Sequence, residues 1–171
     1  PYLEKVDVTE KKQEEGFYMP VQRVCRPDHT FRGFQGQIES GEVKVGDEIV
    51  TLPSNERAHI KSILVGDKDS QSAFMGQPVT LQLDKEVDVS RGCVIASGNN
   101  LPISKSFTAT ILWMDDEELT PGTDYLVKLG TKQIPGILKN IQYKIDVNTG
   151  EFIPAGQLKK NEIAVCDLDL Q

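Results

Sequence analysis

The sequence predicts an all-β fold made of two consecutive small β-barrels. The 171 residues include 28 Val and Ile but only 20 Leu and Ala, and β-branched side chains pack better on a pleated sheet than in a helix. The 23 glycines and prolines are scattered along the chain, where they supply turns between short strands. The longest unbroken apolar runs are four residues, as in 111–114. A helix that crosses a bilayer needs about 20, so we expect no membrane partner.

The first 16 residues predict no barrel strand. Residues 2–6 resemble the last turn of a helix, and residues 9–16 are polar with charges of both signs. Neither piece has enough apolar side chains to bury a core. We interpret residues 1–16 as a linker that follows a missing upstream domain.

The first barrel is predicted over residues 17–97. Residues 17–22 alternate between apolar and polar with a period of two, which is typical of a half-buried strand. Further strands are predicted at 31–38, 48–52, 59–65, 79–83 and 87–95, with a polar excursion at 66–72. Turn signals every 8–12 residues are typical of a small closed barrel, and closure removes exposed strand edges.

The second barrel is predicted over residues 102–171, after a boundary at 96–101. Its strands are expected at 106–114, at 125–129, at 134–146 with an interruption by Pro135-Gly136, and at 163–170. Because the chain stops after that strand, the second barrel is expected to be truncated. The strand around 163–166 would then have lost a pairing partner, and self-association that increases with ionic strength is expected.

No catalytic centre is visible in the sequence. It has no Gly-Lys dipeptide for a Walker A loop, no Asp-x-x-Gly and no Asn-Lys-x-Asp, so the GTPase signatures are missing. His29 and His59 have no Gly-x-Ser-x-Gly nucleophile to serve. The three cysteines are far apart, with no Cys-x-x-Cys pair for zinc, and their odd number fits a reducing, intracellular compartment.

The charge pattern argues against nucleic acid as a partner. The formal net charge is −7, from 19 basic and 26 acidic residues. All the arginines lie in the first predicted barrel, but neither barrel has the Lys/Arg-rich face that sequence-independent binding requires.

Several motifs, in this order and spacing, resemble the second domain of GTPases of the elongation factor Tu group. They are Met-Pro-Val-Gln at 19–22, Arg-Pro at 26–27, Phe-Arg-Gly at 31–33, Ser-Gly at 40–41, Val-Gly-Asp at 45–47, Leu-Pro-Ser at 52–54, Val-Thr-Leu at 79–81 and Asp-Val-Ser-Arg-Gly at 88–92. Their forms are most similar to the large, GTP-binding subunits of bacterial sulfate adenylyltransferases. Residues 112–114, 119–122 and 141–148 resemble the third domain of those subunits.

The chain departs from that family in two ways. Cys93 follows Ser-Arg-Gly where family members usually carry an acidic residue, so no role is assigned to this side chain. The GTPase domain that precedes these domains in the family is not in the sequence.

The resemblance implies a non-catalytic β-barrel portion of a larger cytoplasmic enzyme. In that family, a smaller catalytic subunit makes adenylyl sulfate and pyrophosphate from ATP and sulfate, driven by GTP hydrolysis on the large subunit. The implied partners are therefore this small subunit and the chain's own GTPase domain. The implied GTP and Mg²⁺ belong to the GTPase domain, and no cofactor or metal is expected here. Some large subunits continue into an adenylyl-sulfate kinase.

Two alternative functions remain open at the level of the sequence. One is the tRNA-binding module of a translation elongation factor, against which the acidic balance weighs. The other is a free-standing β-barrel that binds a ligand. Measured tRNA affinity with its salt dependence separates the first alternative from the coupling function.

The candidate site residues are charged and lie in two parts of the first predicted barrel. Arg23, Arg26 and Arg32 fall within ten residues, and guanidinium groups bind carboxylates and phosphates in bidentate fashion. They are predicted either to dock a partner or to form solvated pairs with nearby acids. Asp88 and Arg91 either face the GTPase domain or form a local ion pair that fixes the turn at Gly92.

Two features of the second predicted barrel have simpler interpretations. The four acids at 115–118 predict a solvated loop, because consecutive acids rarely converge on one cation. Trp113 is predicted to be a core residue.

Overall fold

The computed structural model describes residues 16–27, 31–97 and 101–171 and is all-β, as the sequence predicts. The predicted linker, apart from Gly16, and Asp28 and His29 lie outside the described residues. No helix in the described ranges is long and apolar enough to cross a membrane. The chain divides into two compact units, the first ending at Leu101 and the second spanning Pro102–Gln171. Each unit is described by itself.

The first unit contains ten strands. They are β1 (Tyr18–Pro20), β2 (Arg23–Cys25), β3 (Gly33–Gln37), β4 (Glu42–Lys44), β5 (Glu48–Leu52), β6 (Glu56–Val65), β7 (Lys68–Ser70), β8 (Ser72–Phe74), β9 (Pro78–Leu83) and β10 (Val94–Ala96). Eight of them form one antiparallel sheet in the order β1-β10-β5-β6-β9-β3-β2, with β7 paired to β6. β4 and β8 form a separate two-stranded ribbon.

The sheet of the first unit curls back on itself. Ser40, three residues after β3, forms an antiparallel bridge with Tyr18 of β1. The Tyr18 amide donates to the Ser40 carbonyl at 3.1 Å, and the Glu39 amide donates to the Tyr18 carbonyl at 2.9 Å. This bridge joins β1, at one end of the strand order, to the continuation of β3 near the other end.

A continuous apolar core fills the curled sheet. Its largest fully buried side chains are contributed by separate strands, including Met19, Phe34, Ile49, Leu81 and Ile95. Period-two alternation along each strand points one set of side chains inward, as in the buried–intermediate alternation of β5 and β9. The alternation that predicted strands in the sequence therefore also selects the core.

Two glycines of β3 sit where no larger side chain fits. A Cβ atom on Gly33 would lie 2.5 Å from the Thr80 side chain, and one on Gly36 would lie 2.4 Å from the backbone carbonyl of Pro20. Glycine inside a strand often marks such a close approach. Gly36 thus lets β3 approach the end of β1 closely.

The second unit is an antiparallel sheet of five strands. They are β11 (Ser106–Leu112), β12 (Asp124–Leu129), β13 (Lys132–Ile145), β14 (Phe152–Ile153) and β15 (Ile163–Leu170). The order is β11-β15-β13-β12, with β14 paired to β13. β13 runs without a break through Pro135-Gly136, because Pro135 pairs with Leu126 within the β12–β13 ladder.

The expectation that residues 163–166 form an unpaired edge is wrong. β15 lies inside the sheet, where it pairs with β11 along one side and with β13 along the other. Within the described residues, β11 and β12 end the strand order, and β14 pairs only with β13. The last strand in the chain is therefore a central strand, because order in sequence does not determine order in a sheet.

The core of the second unit is smaller than that of the first. Leu138, Leu158, Ala164 and Cys166 are fully buried in it, and burial raises the pKa of the Cys166 thiol. Trp113, which was predicted as a core residue, is only partly buried and packs against this cluster, with its ring edge-on to Tyr125 at a centroid distance of 5.6 Å. Most of the exposed large apolar side chains of the described residues belong to this unit.

Candidate functional site

A ten-residue segment, 84–93, carries the candidate residues Asp88 and Arg91 and is contacted by Arg26 and Arg32. It joins β9 to β10, and its central residues alternate between inward and outward. Val87 and Val89 are buried in the core, whereas Glu86, Asp88 and Ser90 are exposed. Two buried valines thus anchor a connection that presents charged side chains to solvent.

Three contacts hold this segment against the chain around β2. The Val21 amide donates to the Cys93 carbonyl at 2.9 Å, and the Gly92 amide donates to the Val21 carbonyl at 3.1 Å. Arg26 lies 3.8 Å from the Glu86 carboxylate. These contacts bring residues some 60 positions apart in the sequence to the same surface.

Arg32 provides a fourth contact with the segment and is partly buried. Its Nη2 donates to the Val89 carbonyl at 3.2 Å, and its guanidinium lies 5.1 Å from the centroid of the Phe34 ring. Its Nε atom is buried without a hydrogen-bond partner in the described ranges. Arg32 thus fixes the segment through the Val89 carbonyl. Its partial burial favours a structural role over direct contact with a partner.

The other candidate residues are exposed. Arg23 lies on β2 opposite Gln35 of β3, and Arg26 follows the same strand. Asp88 and Arg91 lie on the segment. We call Arg23, Arg26, Asp88 and Arg91 the charged surface.

Asp88 and Arg91 do not form the local ion pair that was considered for the turn at Gly92, since no contact within 4.0 Å joins their charged groups in the described structure. The backbone amide of Asp88 instead donates to the Glu56 carboxylate at 3.0 Å. Gly92 has φ of +95°, a conformation that glycine adopts without a steric penalty. The backbone conformation of Gly92 and the hydrogen bonds of Val21 define this turn. An ion pair between Asp88 and Arg91 is therefore not needed to fix it.

Contacts between Asp84 and His59 fix the start of the segment. The His59 amide donates to Asp84 Oδ1 at 2.8 Å, and His59 Nδ1 lies 3.1 Å from Asp84 Oδ2. These hydrogen bonds, above all the one from the backbone amide, lower the pKa of Asp84. The segment is therefore held at both ends and in the middle.

Glu86, Glu56 and Asp84 were not among the residues selected from the sequence. Each interacts with a residue at least 25 positions away, and no local spacing signals such a partner. Cys93 packs against the core at partial exposure, with its Sγ 3.8 Å from Ser90 Oγ.

The arrangement suits protein recognition better than chemistry. Arg26 lies next to the Glu86 carboxylate, and Arg23, Asp88 and Arg91 are exposed. Mixed charge of this kind is typical of the rim of a protein interface. Among the described residues, no group of three or more His, Cys, Asp or Glu side chains could hold a metal ion. The loop at 115–118 also holds no such cluster, and Asp116 pairs with Lys160 at 2.7 Å.

The family model described as GTP-eEF1A C-terminal domain-like matches residues 106–171. The chain is 42% identical over 170 residues to sulfate adenylyltransferase subunit 1 of Teredinibacter turnerae, with 99% of this chain and 36% of the relative covered. It is 40% identical over 170 residues to the bifunctional enzyme CysN/CysC of Xylella fastidiosa, of which it covers 27%. The chain thus spans about a third of the length of the first of these relatives.

Two solved structures share the fold. The structure of sup35 complexed with GDP matches with a TM-score of 0.83 at 22% identity, over 99% of this chain and 42% of that one. The structure of elongation factor SelB from Methanococcus maripaludis matches with a TM-score of 0.74 at 23% identity, over 99% and 38%. The relatives confirm the resemblance to sulfate adenylyltransferase large subunits, and these structures confirm the translation-factor-type fold of domains 2 and 3.

Proposed function

We propose that this chain is the β-domain portion of a sulfate adenylyltransferase subunit 1, and that it couples a GTPase domain to the partner subunit that makes adenylyl sulfate. The observation that carries the proposal is identity of about 42% sustained over 99% of the chain to proteins of that name. GTP hydrolysis, ATP and sulfate belong to the whole enzyme. The first unit contributes a packed sheet with a proposed docking surface.

The rigidity of the first unit supports a coupling role. A movement at one domain reaches another only through elements that shift as packed bodies. The segment 84–93 is fixed by Asp84, by the buried Val87 and Val89, and by Arg32. A force applied to the charged surface would therefore be transmitted to the sheet rather than absorbed by a loose connection.

The charged surface is the proposed site for the small subunit. Its arginines are exposed, and the ion pair of Arg26 with Glu86 is loose at 3.8 Å, with the two side chains 53% and 86% exposed. An exposed pair of this kind contributes little to stability. Arg26 and Glu86 can consequently exchange each other for charged groups of a partner with little loss of folding stability.

A binding experiment with the purified small subunit of a sulfate adenylyltransferase tests the proposal. We expect calorimetry to show binding by the intact chain and a loss of about tenfold or more in affinity when Arg23 and Arg26 are both replaced by Ala. Arg57→Ala is the matched control, because Arg57 is also exposed but pairs with Glu48 on β5 and β6. Its affinity should equal that of the unchanged chain.

Each failure has a distinct meaning. Absence of binding up to high micromolar concentration would refute the proposed partner. Equal affinity in the double variant and in Arg57→Ala would refute the charged surface as the site while leaving the partner in place. Melting curves of each variant check that affinity is lost without loss of fold.

A further inference from the structure

β13 contains an extra residue near the middle of its ladder with β15. Leu138 lies opposite Leu168 and Asn140 lies opposite Asp167, so Lys139 is the additional residue. An extra residue of this kind is a β-bulge, which redirects the side chains around it. Lys139 and Asn140 are accordingly both exposed, although neighbours in a regular strand face opposite sides of the sheet.

A second extra residue follows three positions later. Ile141 lies opposite Cys166 and Tyr143 lies opposite Val165, which makes Gln142 the additional residue. Gln142 is exposed, whereas Ile141 is buried. Each bulge adds one residue to β13 alone, so the two together displace the far end of β13 by two residues along β15.

Burial in the core accounts for the first bulge but not for the second. Leu138 and Ile141 are both buried, yet residues three apart in a regular strand point to opposite faces. One extra residue between them is therefore needed to bring both side chains into the core. The second bulge lies beyond Ile141, where residues 143–146 are only partly buried.

The side chains of both extra residues reach aspartates of β15. Gln142 Nε2 donates to Asp167 Oδ1 at 2.8 Å, and Lys139 Nζ lies 3.1 Å from Asp169 Oδ2. Asp167 Oδ1 also accepts a hydrogen bond from the Thr108 hydroxyl of β11 at 2.7 Å. One carboxylate oxygen thus joins three neighbouring strands, and each bulge has its own acceptor on the central strand.

We propose that Asp167 and Asp169 form a register lock, in which their carboxylates hold the two extra residues of β13 in place and so select one alignment of β13 on β15. The Lys139 and Asp169 side chains are 58% and 39% exposed, and exposed pairs contribute little to overall stability. Alignments that differ only in the position of an extra residue keep most of the same backbone hydrogen bonds. A small difference between such states decides which one is populated.

The register lock should open in acid. Hydrogen bonds from Thr108 and Gln142 lower the pKa of Asp167, while those from Ser106 and Lys139 lower the pKa of Asp169. The negative charge of Asp169 acts on Asp167 in the opposite direction, and β11 has no charged residue. A carboxyl group with a lowered folded pKa contributes stability above its unfolded pKa of about 3.9, and the contribution is lost as pH falls through the folded value.

Residue-resolved hydrogen exchange at pH 7 is the first test. Asp167→Ala should speed amide exchange at residues 141–144 at least about tenfold, and Asp169→Ala should do so at residues 138–140, because local opening exposes only the affected part of a strand. Residues 132–134, which pair with β12, should keep their rates. Asp124→Ala is the matched control, since Asp124 lies opposite Ile137 where β13 pairs without a bulge, and it should change neither region.

Nuclear Overhauser contacts between backbone protons test the alignment itself. The unchanged chain should show the contact of Tyr143 with Val165 at pH 7. In Asp167→Ala, a contact of Gln142 with Val165 should replace it in part, because the second bulge is lost. The unchanged chain should acquire the same new contact as pH falls below about 4.

Gln142→Leu guards against a loss of fold in Asp167→Ala. It leaves the bond between Asp167 and Thr108 intact and should also speed exchange at residues 141–144. Equal acceleration over the whole second unit, with the Tyr143 contact unchanged, would mean that the aspartates add only stability and would overturn the proposal. Unchanged exchange at both bulges would overturn it as well. These contacts lie within the second unit, so the register lock and the proposed function can fail separately.

Discussion

Arg32 joins two parts of the first unit through a single guanidinium group. It binds the Val89 carbonyl across 57 positions of sequence and lies over the Phe34 ring. A hydrogen bond from a charged donor contributes about 1.5–3 kcal/mol, and a partly exposed cation–π contact about 0.5–1 kcal/mol. Arg32 is therefore a positioning residue for the segment that carries Asp88 and Arg91.

Replacement of Arg32 tests this role. We expect Arg32→Ala to lower the free energy of unfolding by roughly 1–3 kcal/mol, and Arg32→Lys to lower it less, because lysine keeps a charge over the ring but lacks the planar fork. Chemical denaturation of both variants is the measurement. Arg91→Ala is the control, since this exposed arginine makes no ion pair in the described structure, and an equal loss in Arg91→Ala would contradict the assignment.

At the scale of elements, a half-buried ion pair connects β13 to the turn that leads into β15. Lys144 Nζ lies 2.7 Å from Glu162 Oε1, with both side chains 27% exposed, and the Lys159 amide donates to Glu162 Oε2 at 2.8 Å. The Lys144 hydrogen bond, followed by that of the Lys159 amide, lowers the pKa of Glu162. The pair thus fixes the start of a central strand.

The pH dependence of stability follows from the direction of that shift. A carboxyl group with a lowered pKa in the folded state contributes stability above its unfolded pKa of about 4.3, and this contribution is lost as pH falls through the folded value. We expect Glu162→Gln to lower the melting temperature at pH 7 and to lose this effect progressively below about pH 4. Thermal melts from pH 7 to 3 are the measurement.

Glu118→Gln removes one carboxylate from an exposed loop of the same unit and is the matched control. Its melting temperature should stay near that of the unchanged chain across the series. A Glu162→Gln difference that is the same at pH 3 and pH 7 would show that the charge of Glu162 contributes nothing.

At the scale of the whole molecule, the charge distribution distinguishes the proposed function from a role in binding tRNA. The chain has a net charge of −7, and Arg26 and Arg57 lie next to Glu86 and Glu48. Proteins that bind phosphate backbones do so through basic faces that release counterions. A net negative charge does not favour binding of that kind.

We therefore expect no measurable complex between this chain and tRNA at about 150 mM salt. Fluorescence titration with labelled tRNA over a salt series is the measurement. A dissociation constant in the micromolar range or below, rising steeply with salt, would contradict the expectation and favour the elongation-factor alternative.

The sequence predicts some elements much better than others. The expected strands at 48–52 and 163–170 coincide with β5 and β15. Three of the five residues of β5 are β-branched, and buried residues alternate along β15. β2, β4, β7, β8 and β14 were not expected as strands. They have two or three residues each, which is too few to show the two-residue alternation of apolar and polar side chains that is typical of a strand. The segment expected as a strand at 87–95 is regular only at β10, since its earlier residues follow the core surface without pairing in a ladder.

The sequence by itself determined the all-β class, the likeness to sulfate adenylyltransferase large subunits and the selection of the charged residues near β2. These three results depend on local composition, on the alternation of apolar and polar residues and on motif spacing, all of which can be read directly from the sequence. Only the tertiary structure decided that Arg32 supports the segment 84–93, that Glu86 is the partner of Arg26, and that β15 pairs with strands on both sides. Those facts depend on which strands become neighbours, and strand pairing is settled by the burial of side chains from distant parts of the chain in a common core.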